Sequence, residues 1–212
     1  MMQLYDKVYS ENKSSRFANE GLIGARYRLP KYLRYFFRLY SGLGPLSVLE
    51  IGGGNGEMYE LIMKKNPDFI KDYTAIEYSA EGTDCMKQKG IRAFKMDAQS
   101  LDFDDNSFDL VFCFDVMHHV DSPAMMANEM IRVTRRYFFL CEANGLSIPR
   151  KLGEFGKEAK ALNEHSYTPG KYVLFFQNEK IIPLTIAISE FCEKIPVLRW
   201  QGQNLLIYGE KE

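Results

Sequence analysis

Val48-Leu49-Glu50-Ile51-Gly52-Gly53-Gly54-Asn55-Gly56-Glu57-Met58 decides the fold. With Leu46, the residues Val48, Leu49 and Ile51 make a short apolar run of the kind a buried strand shows. Four of the next five residues are glycine, so the backbone can turn sharply and come very close to a ligand. Met58, Leu61, Ile62 and Met63 then supply the apolar positions of a helix, and Asn66-Pro67 stops it. Strand, glycine loop and helix in this order form the corner of an α/β fold at which nucleosides or phosphates bind.

The order of the glycines narrows the ligand. A dinucleotide fingerprint places glycines at n, n+2 and n+5. Counted from Gly52, the third position is Glu57. A pyrophosphate there would meet a carboxylate at the positive end of the helix, an unfavourable pairing. No Gly-Lys-Ser/Thr string is present, so a phosphate-cradling P-loop is excluded. What remains is acid-x-Gly-x-Gly-x-Gly, carried by Glu50, Gly52, Gly54 and Gly56. This resembles motif I of the class I S-adenosylmethionine-dependent methyltransferases, whose ligand carries no phosphate. The competing reading is a plain tight turn between strand and helix.

At 212 residues the chain is long enough for one domain with additions and a substantial core. A net charge of -1 gives no global field that favours nucleic acid. The opening Met-Met-Gln-Leu-Tyr-Asp-Lys lacks a basic region followed by an apolar run, so no secretory signal is expected. No stretch approaches the length of a membrane span. Cys85, Cys113, Cys141 and Cys192 are far apart and form no CxxC pair, so no metal site is expected. Two of them fall in expected buried strands, where cysteine acts as a small hydrophobe. A cytoplasmic protein is the expectation.

Residues 1–42 are locally basic and aromatic. Tyr27, Tyr32, Leu33, Phe36, Phe37 and Tyr40 predict an amphipathic helix after Pro30, and Ser41-Gly42 with Gly44-Pro45 end it. This segment reads as a helical cap, or as a lid that uses Tyr5, Tyr9 or Arg26. Residues 43–212 then form the main domain. A second strand is expected at Tyr73–Tyr78, ending on Glu77 about twenty residues beyond the glycines, the distance of a ribose-binding acid. A helix over Glu81–Lys89 stops at Gly90, and a third strand over Ile91–Met96 closes on Asp97-Ala98. Asp102, Asp104 and Asp105 lack calcium-loop spacing and read as solvated loop acids.

The fourth strand, Phe108–Asp115, is nearly all apolar after Asp109, as a strand covered on both faces is. Val116-Met117-His118-His119-Val120 follows, and Asp121-Ser122-Pro123 caps a helix with Met126 and Met130 in its core stripe. The strand tip, paired histidines and capped helix resemble the methyltransferase-domain subgroup that includes the ubiquinone and menaquinone methyltransferases. That subgroup continues to a Pro-Gly-Gly turn, whereas this chain has Arg135-Arg136-Tyr137. A fifth strand over Tyr137–Cys141 leads to Glu142-Ala143-Asn144-Gly145. Patterning then weakens over residues 144–179, and two closing strands lie near Ile181–Ile188 and Gln203–Gly209.

The resemblance covers roughly residues 46–142. It implies a Rossmann-like, seven-stranded, mostly parallel sheet with helices on both faces and an N-terminal helical cap. It implies S-adenosyl-L-methionine as cofactor and S-adenosyl-L-homocysteine as product. Glu77 would take the ribose hydroxyls, Tyr78 the purine face, and Asp97 with the amide of Ala98 the adenine edge; Glu50, Gly52, Gly54 and Gly56 would line the loop. Asp115 would orient the methionine end. His118 is the candidate base, since imidazole is the residue type most often used for that role, while His119 reads as structural. Residues 144–179 would face the acceptor, with Arg150, His165 and Tyr167 joining Tyr9 and His118 there. No Asn/Asp-Pro-Pro-Tyr string and no Pro-Cys after strand four is present, which argues against methylation of DNA. A small-molecule acceptor is expected, with RNA and protein left open and no metal. A silent donor-binding module and a nicotinamide oxidoreductase are the alternatives.

Overall fold

The structure, a computed structural model, describes residues 32–153, 165–176, 184–188 and 204–211. The chain divides into two compact units, one ending at Asp97 and the other starting at Ala98. The rest of the expected N-terminal cap, with Tyr5, Tyr9 and Arg26, lies outside the described residues.

In the first unit, residues 32–40 form helix α1. Its stripe of Tyr32, Leu33, Phe36, Phe37 and Tyr40 is buried. Phe36 and Phe37 each set a ring edge-on against Phe69, both with centroids 5.5 Å apart. Strand β1 is Leu46–Ile51, helix α2 Glu57–Lys65, strand β2 Ile70–Glu77, helix α3 Ala80–Gln88 and strand β3 Arg92–Lys95. The three strands run parallel in the order β3-β2-β1. All three carboxyl ends therefore share one edge, which carries the glycine loop, Glu77 and Asp97. Strand β2 begins three residues earlier than its apolar pattern predicts. Its first residues, with Lys71 and Asp72 exposed, pair with β1 in the backbone ladder.

The second unit holds strand β4 (Phe108–Phe114), helix α4 (Pro123–Val133), strand β5 (Thr134–Ala143), helices α5 (Ile148–Gly153) and α6 (Pro169–Phe175), and strands β6 (Leu184–Ile188) and β7 (Asn204–Glu210). Here β4 and β5 are parallel, while β7 runs antiparallel between β5 and β6. The architecture is thus α/β and Rossmann-like, with a mostly parallel sheet. Met126 and Met130 are fully buried, as core methionines should be, and Cys113 and Cys141 are likewise buried.

Helix α4 enters β5 with no loop at all. Thr134 is the last helix cap and the first strand residue, and its hydroxyl donates to the Met130 carbonyl at 2.7 Å. This explains why no Pro-Gly-Gly turn is needed before Arg135. The acidic loop before β4 is organised by Arg132, a contact its sequence pattern hides. Its guanidinium donates to the carbonyls of Leu101 and Phe103 and to the carboxylates of Asp105 and Glu129. Among the described residues no helix is long and apolar enough to cross a membrane.

Candidate functional site

The first unit places its polar side chains at the carboxyl ends of β1 and β2. Gly52, Gly54 and Gly56 all have positive φ, at 74°, 55° and 82°. At Gly54 a side chain would be strained, yet a Cβ there would meet no atom of the described residues within 4 Å. Among the described residues the loop is therefore open on that side, a cradle of bare main chain that a ligand can approach. The Gly54 amide donates at 2.9 Å to one oxygen of Glu77, and the Ser79 amide donates at 3.0 Å to the other. Glu77 is buried and held from two directions, and each oxygen retains capacity for a further donor. Tyr78 and Asp97 are half-buried at the ends of β2 and β3, and Ala98 is buried. These features fit the chemistry of a neutral nucleoside: a sugar diol for the carboxylate and a flat base for the loop.

Glu50 lies within β1, 3% exposed, and accepts the hydroxyl proton of Tyr73 from β2. Burial pushes its carboxyl up from 4.5 to about 8, against the opposing pull of the Tyr73 bond. Between those two values the folded chain holds more protons than the unfolded chain, so stability falls as pH rises through that window. The slope from this group is at most about 1.4 kcal/mol per pH unit. Urea unfolding at the acid and alkaline ends of the window should therefore show wild type losing stability relative to Glu50→Gln. Parallel pH curves for the two proteins would contradict this.

In the second unit, β4 is followed directly by Asp115, whose φ of 55° is unusual for a residue with a side chain. Asn204 at the start of β7 donates to its carboxylate at 3.1 Å. The chain then makes a tight 3-10 turn over Met117–His119. Glu142, near the end of β5 and fully buried, reaches that turn. One of its oxygens accepts the amides of Val116 at 3.0 Å and Met117 at 2.9 Å, and the other meets Nδ1 of His118 at 2.7 Å. Burial pushes the Glu142 carboxyl up, while the two amides pull it back. His118 is 1% exposed. His119 is half-buried, its ring 4.0 Å from that of His118.

The segment after β5 is fastened to the same edge. Tyr167 makes a parallel bridge with Asn144, and the Gly145 amide donates to the Tyr167 carbonyl at 2.8 Å. A Cβ on Gly145 would lie 2.7 Å from the Tyr167 backbone, so only glycine allows this approach. The His165 amide donates to the His118 carbonyl at 3.1 Å. The sequence-expected residues Asp115, His118, His165 and Tyr167 are thus gathered at one end of the second unit, although they come from two separate stretches. Glu142 belongs with them and was missed; its only signal was an acid at a strand end. Tyr9 lies outside the described residues, as does the side chain of Arg150 on α5. No group of three or more His, Cys, Asp or Glu that could hold a metal ion is present among the described residues.

Residues 49–139 match the methyltransferase domain family. Over those residues the chain is similar to S-adenosylmethionine-dependent methyltransferases. A curated relative is the tRNA N(3)-methylcytidine methyltransferase of Schizosaccharomyces pombe, 24% identical over 84% of this chain. The chain spans 61% of that relative's length. Among solved structures, a methyltransferase of Thermotoga maritima described as a possible histamine N-methyltransferase superimposes with a TM-score of 0.74 at 17% identity, covering 100% of both chains. The plantazolicin methyltransferase BpumL, solved with S-adenosylhomocysteine, gives a TM-score of 0.70 at 17% identity over 100% of this chain and 93% of its own. These two likenesses establish the fold.

Proposed function

We propose that this chain transfers the methyl group of S-adenosylmethionine to a small-molecule acceptor. The observation that carries the donor half is the open Gly54 main chain with its amide on the buried Glu77 carboxylate. When bound, the donor supplies a methyl group on sulfonium sulfur, with a neutral thioether as leaving group. Glu77 accepts the ribose hydroxyls, Tyr78 packs on the purine, and Asp97 with the Ala98 amide takes the adenine edge. Gly52, Gly54 and Gly56, with Glu50 beside them, allow the close approach, while Asp115 serves the methionine end. Glu57 and Glu60, both in the first turn of α2, keep a pyrophosphate away and so disfavour a nicotinamide cofactor.

Residues 43–212 are the methyltransferase domain in this reading, with 1–42 as a cap carrying Tyr9. The 144–179 segment, with Arg150, His165 and Tyr167, faces the acceptor beside the His118 turn. Holding the nucleophile in line supplies much of the catalysis. The net charge of -1 favours a small acceptor over a polyanion. The described cysteines, Cys85, Cys113 and Cys141, form no disulfide, which supports a reducing cytoplasmic location.

A second reading, methylation of an RNA base, is favoured by the match to the tRNA methyltransferase. The test is incubation with methyl-tritiated S-adenosylmethionine in two arms, one with a metabolite extract and one with bulk tRNA. The small-molecule reading expects label in the metabolite arm alone. Label confined to tRNA selects the second reading. Donor binding with label in neither arm means a silent donor-binding module, and binding of NAD without S-adenosylmethionine rejects the donor assignment.

A further inference from the structure

We propose that His119 is the catalytic ring of the turn after β4, and that Glu142, acting through His118, is its positioning residue. The proposal rests on the methyl-transfer reading above. Three features of the second unit carry it.

The first is the way the turn is built. Asp115 is left-handed and Val116 right-handed, with φ -119° and ψ -49°. Successive residues of opposite hand aim their following amides into a shared concavity that binds an anion. The anion here is internal. A single oxygen of Glu142 takes the amides of both Val116 and Met117, with the Cys113 thiol 3.5 Å away on the same oxygen. The carboxylate of β5 thereby fixes the direction in which the chain leaves β4.

The second is the division of labour between the two histidines. His118 spends Nδ1 on the second Glu142 oxygen and is 1% exposed. The rest of that ring, Nε2 included, is covered at this exposure, so His118 does not face solvent. His119 is half-buried and lies against it, with centroids 4.0 Å apart and planes 42° apart. The buried ring is the support and the outer ring is the tool, the arrangement in which a carboxylate orients one imidazole for chemistry nearby. This exchanges the roles that the sequence assigned to the two residues.

The third is a second tie on the far side of the turn. The His118 carbonyl accepts the His165 amide at 3.1 Å, and the His119 amide closes on the Val116 carbonyl at 2.9 Å. The turn is thus held by Glu142 from within the strand layer and by the 165–168 segment from without. For an O–H or N–H acceptor, a ring nitrogen of His119 takes the proton as the heteroatom bonds to the methyl carbon. The C–S bond breaks with its electron pair left on sulfur, S-adenosylhomocysteine departs neutral, and the imidazolium later returns its proton to water.

The chain has only three histidines, so each ring can be read separately. Carbethoxylation of the wild type with diethyl pyrocarbonate, followed by mass spectrometry, should modify His119 at least about tenfold faster than His118. Equal rates, or a faster His118, overturn the division of roles. In Glu142→Gln the amide oxygen can keep both backbone bonds while its NH₂ group faces Nδ1. Ring-nitrogen NMR should show the His118 proton on Nδ1 in wild type and on Nε2 in the variant. An unchanged tautomer overturns the role of Glu142. Neither readout needs an acceptor.

With the acceptor pool that takes label from wild type, His119→Ala should lower turnover by about 100-fold or more, the range of a lost general base. Added imidazole should restore part of it, with S-adenosylmethionine affinity unchanged. Full turnover in His119→Ala, or no rescue, overturns the catalytic role. If wild type labels neither pool, the methyl-transfer reading fails and takes that role with it, while the ring spectra still judge the brace.

Discussion

Glu77→Ala is expected to weaken S-adenosylmethionine binding by roughly 1.5–3 kcal/mol, the worth of hydrogen bonds to a charged group. That corresponds to about a 10- to 150-fold rise in dissociation constant by titration calorimetry. Two losses combine in this figure. The sugar hydroxyls lose their acceptor, and the Gly54 amide loses the carboxylate that holds the loop open at 2.9 Å. Ser79 loses its partner as well, but its side chain still caps α3 by accepting the Gly82 amide at 3.1 Å. The variant should therefore remain folded by circular dichroism and thermal melting. A folded Glu77→Ala protein with the wild-type dissociation constant would remove Glu77 from the donor site.

Glu142→Ala should be the most destabilising single change in the second unit, at about 3–5 kcal/mol. Three buried donors lose their partner together, each at roughly 1–3 kcal/mol. The substitution leaves the Val116 and Met117 amides and the His118 ring without the group that joins them. Each is expensive to strand in a dry interior. Glu142→Gln keeps an acceptor for both amides and should cost far less. Urea unfolding of the three proteins checks this. Alanine and glutamine variants of equal stability would show that Glu142 does not fasten the turn.

Much of the architecture was legible because its signals are local. The glycine loop, the Asn66-Pro67 stop and the Ser122-Pro123 start each lie within a few residues of the element they bound. They fall where α2 ends and α4 begins. The fourth strand was readable because a strand covered on both faces has no polar alternation to confuse with a helix. Element edges were less accurate where strand pairing needs no apolar side chain. Thus β5 starts at Thr134, through two exposed arginines that were read as a loop.

The polar interior was hidden for a different reason. Tyr73 meets Glu50 across 23 residues, and His118 meets Glu142 across 24. Periodicity reports which face a residue takes, but not which partner waits there. The Arg132 contacts with Leu101 and Phe103 span the acidic loop in the same way. The weak pattern after β5 also has a cause: Tyr167 and Gly145 join through backbone, which leaves no side-chain signature.

The central claim is tested most directly by soaking crystals of this chain with S-adenosylhomocysteine and locating the nucleoside. The account predicts density over the main chain of Gly52–Gly56, with both ribose hydroxyls on the Glu77 carboxylate and the adenine edge at Asp97. A nucleoside seated elsewhere, or a well-ordered loop that stays bare at saturating ligand, would contradict it.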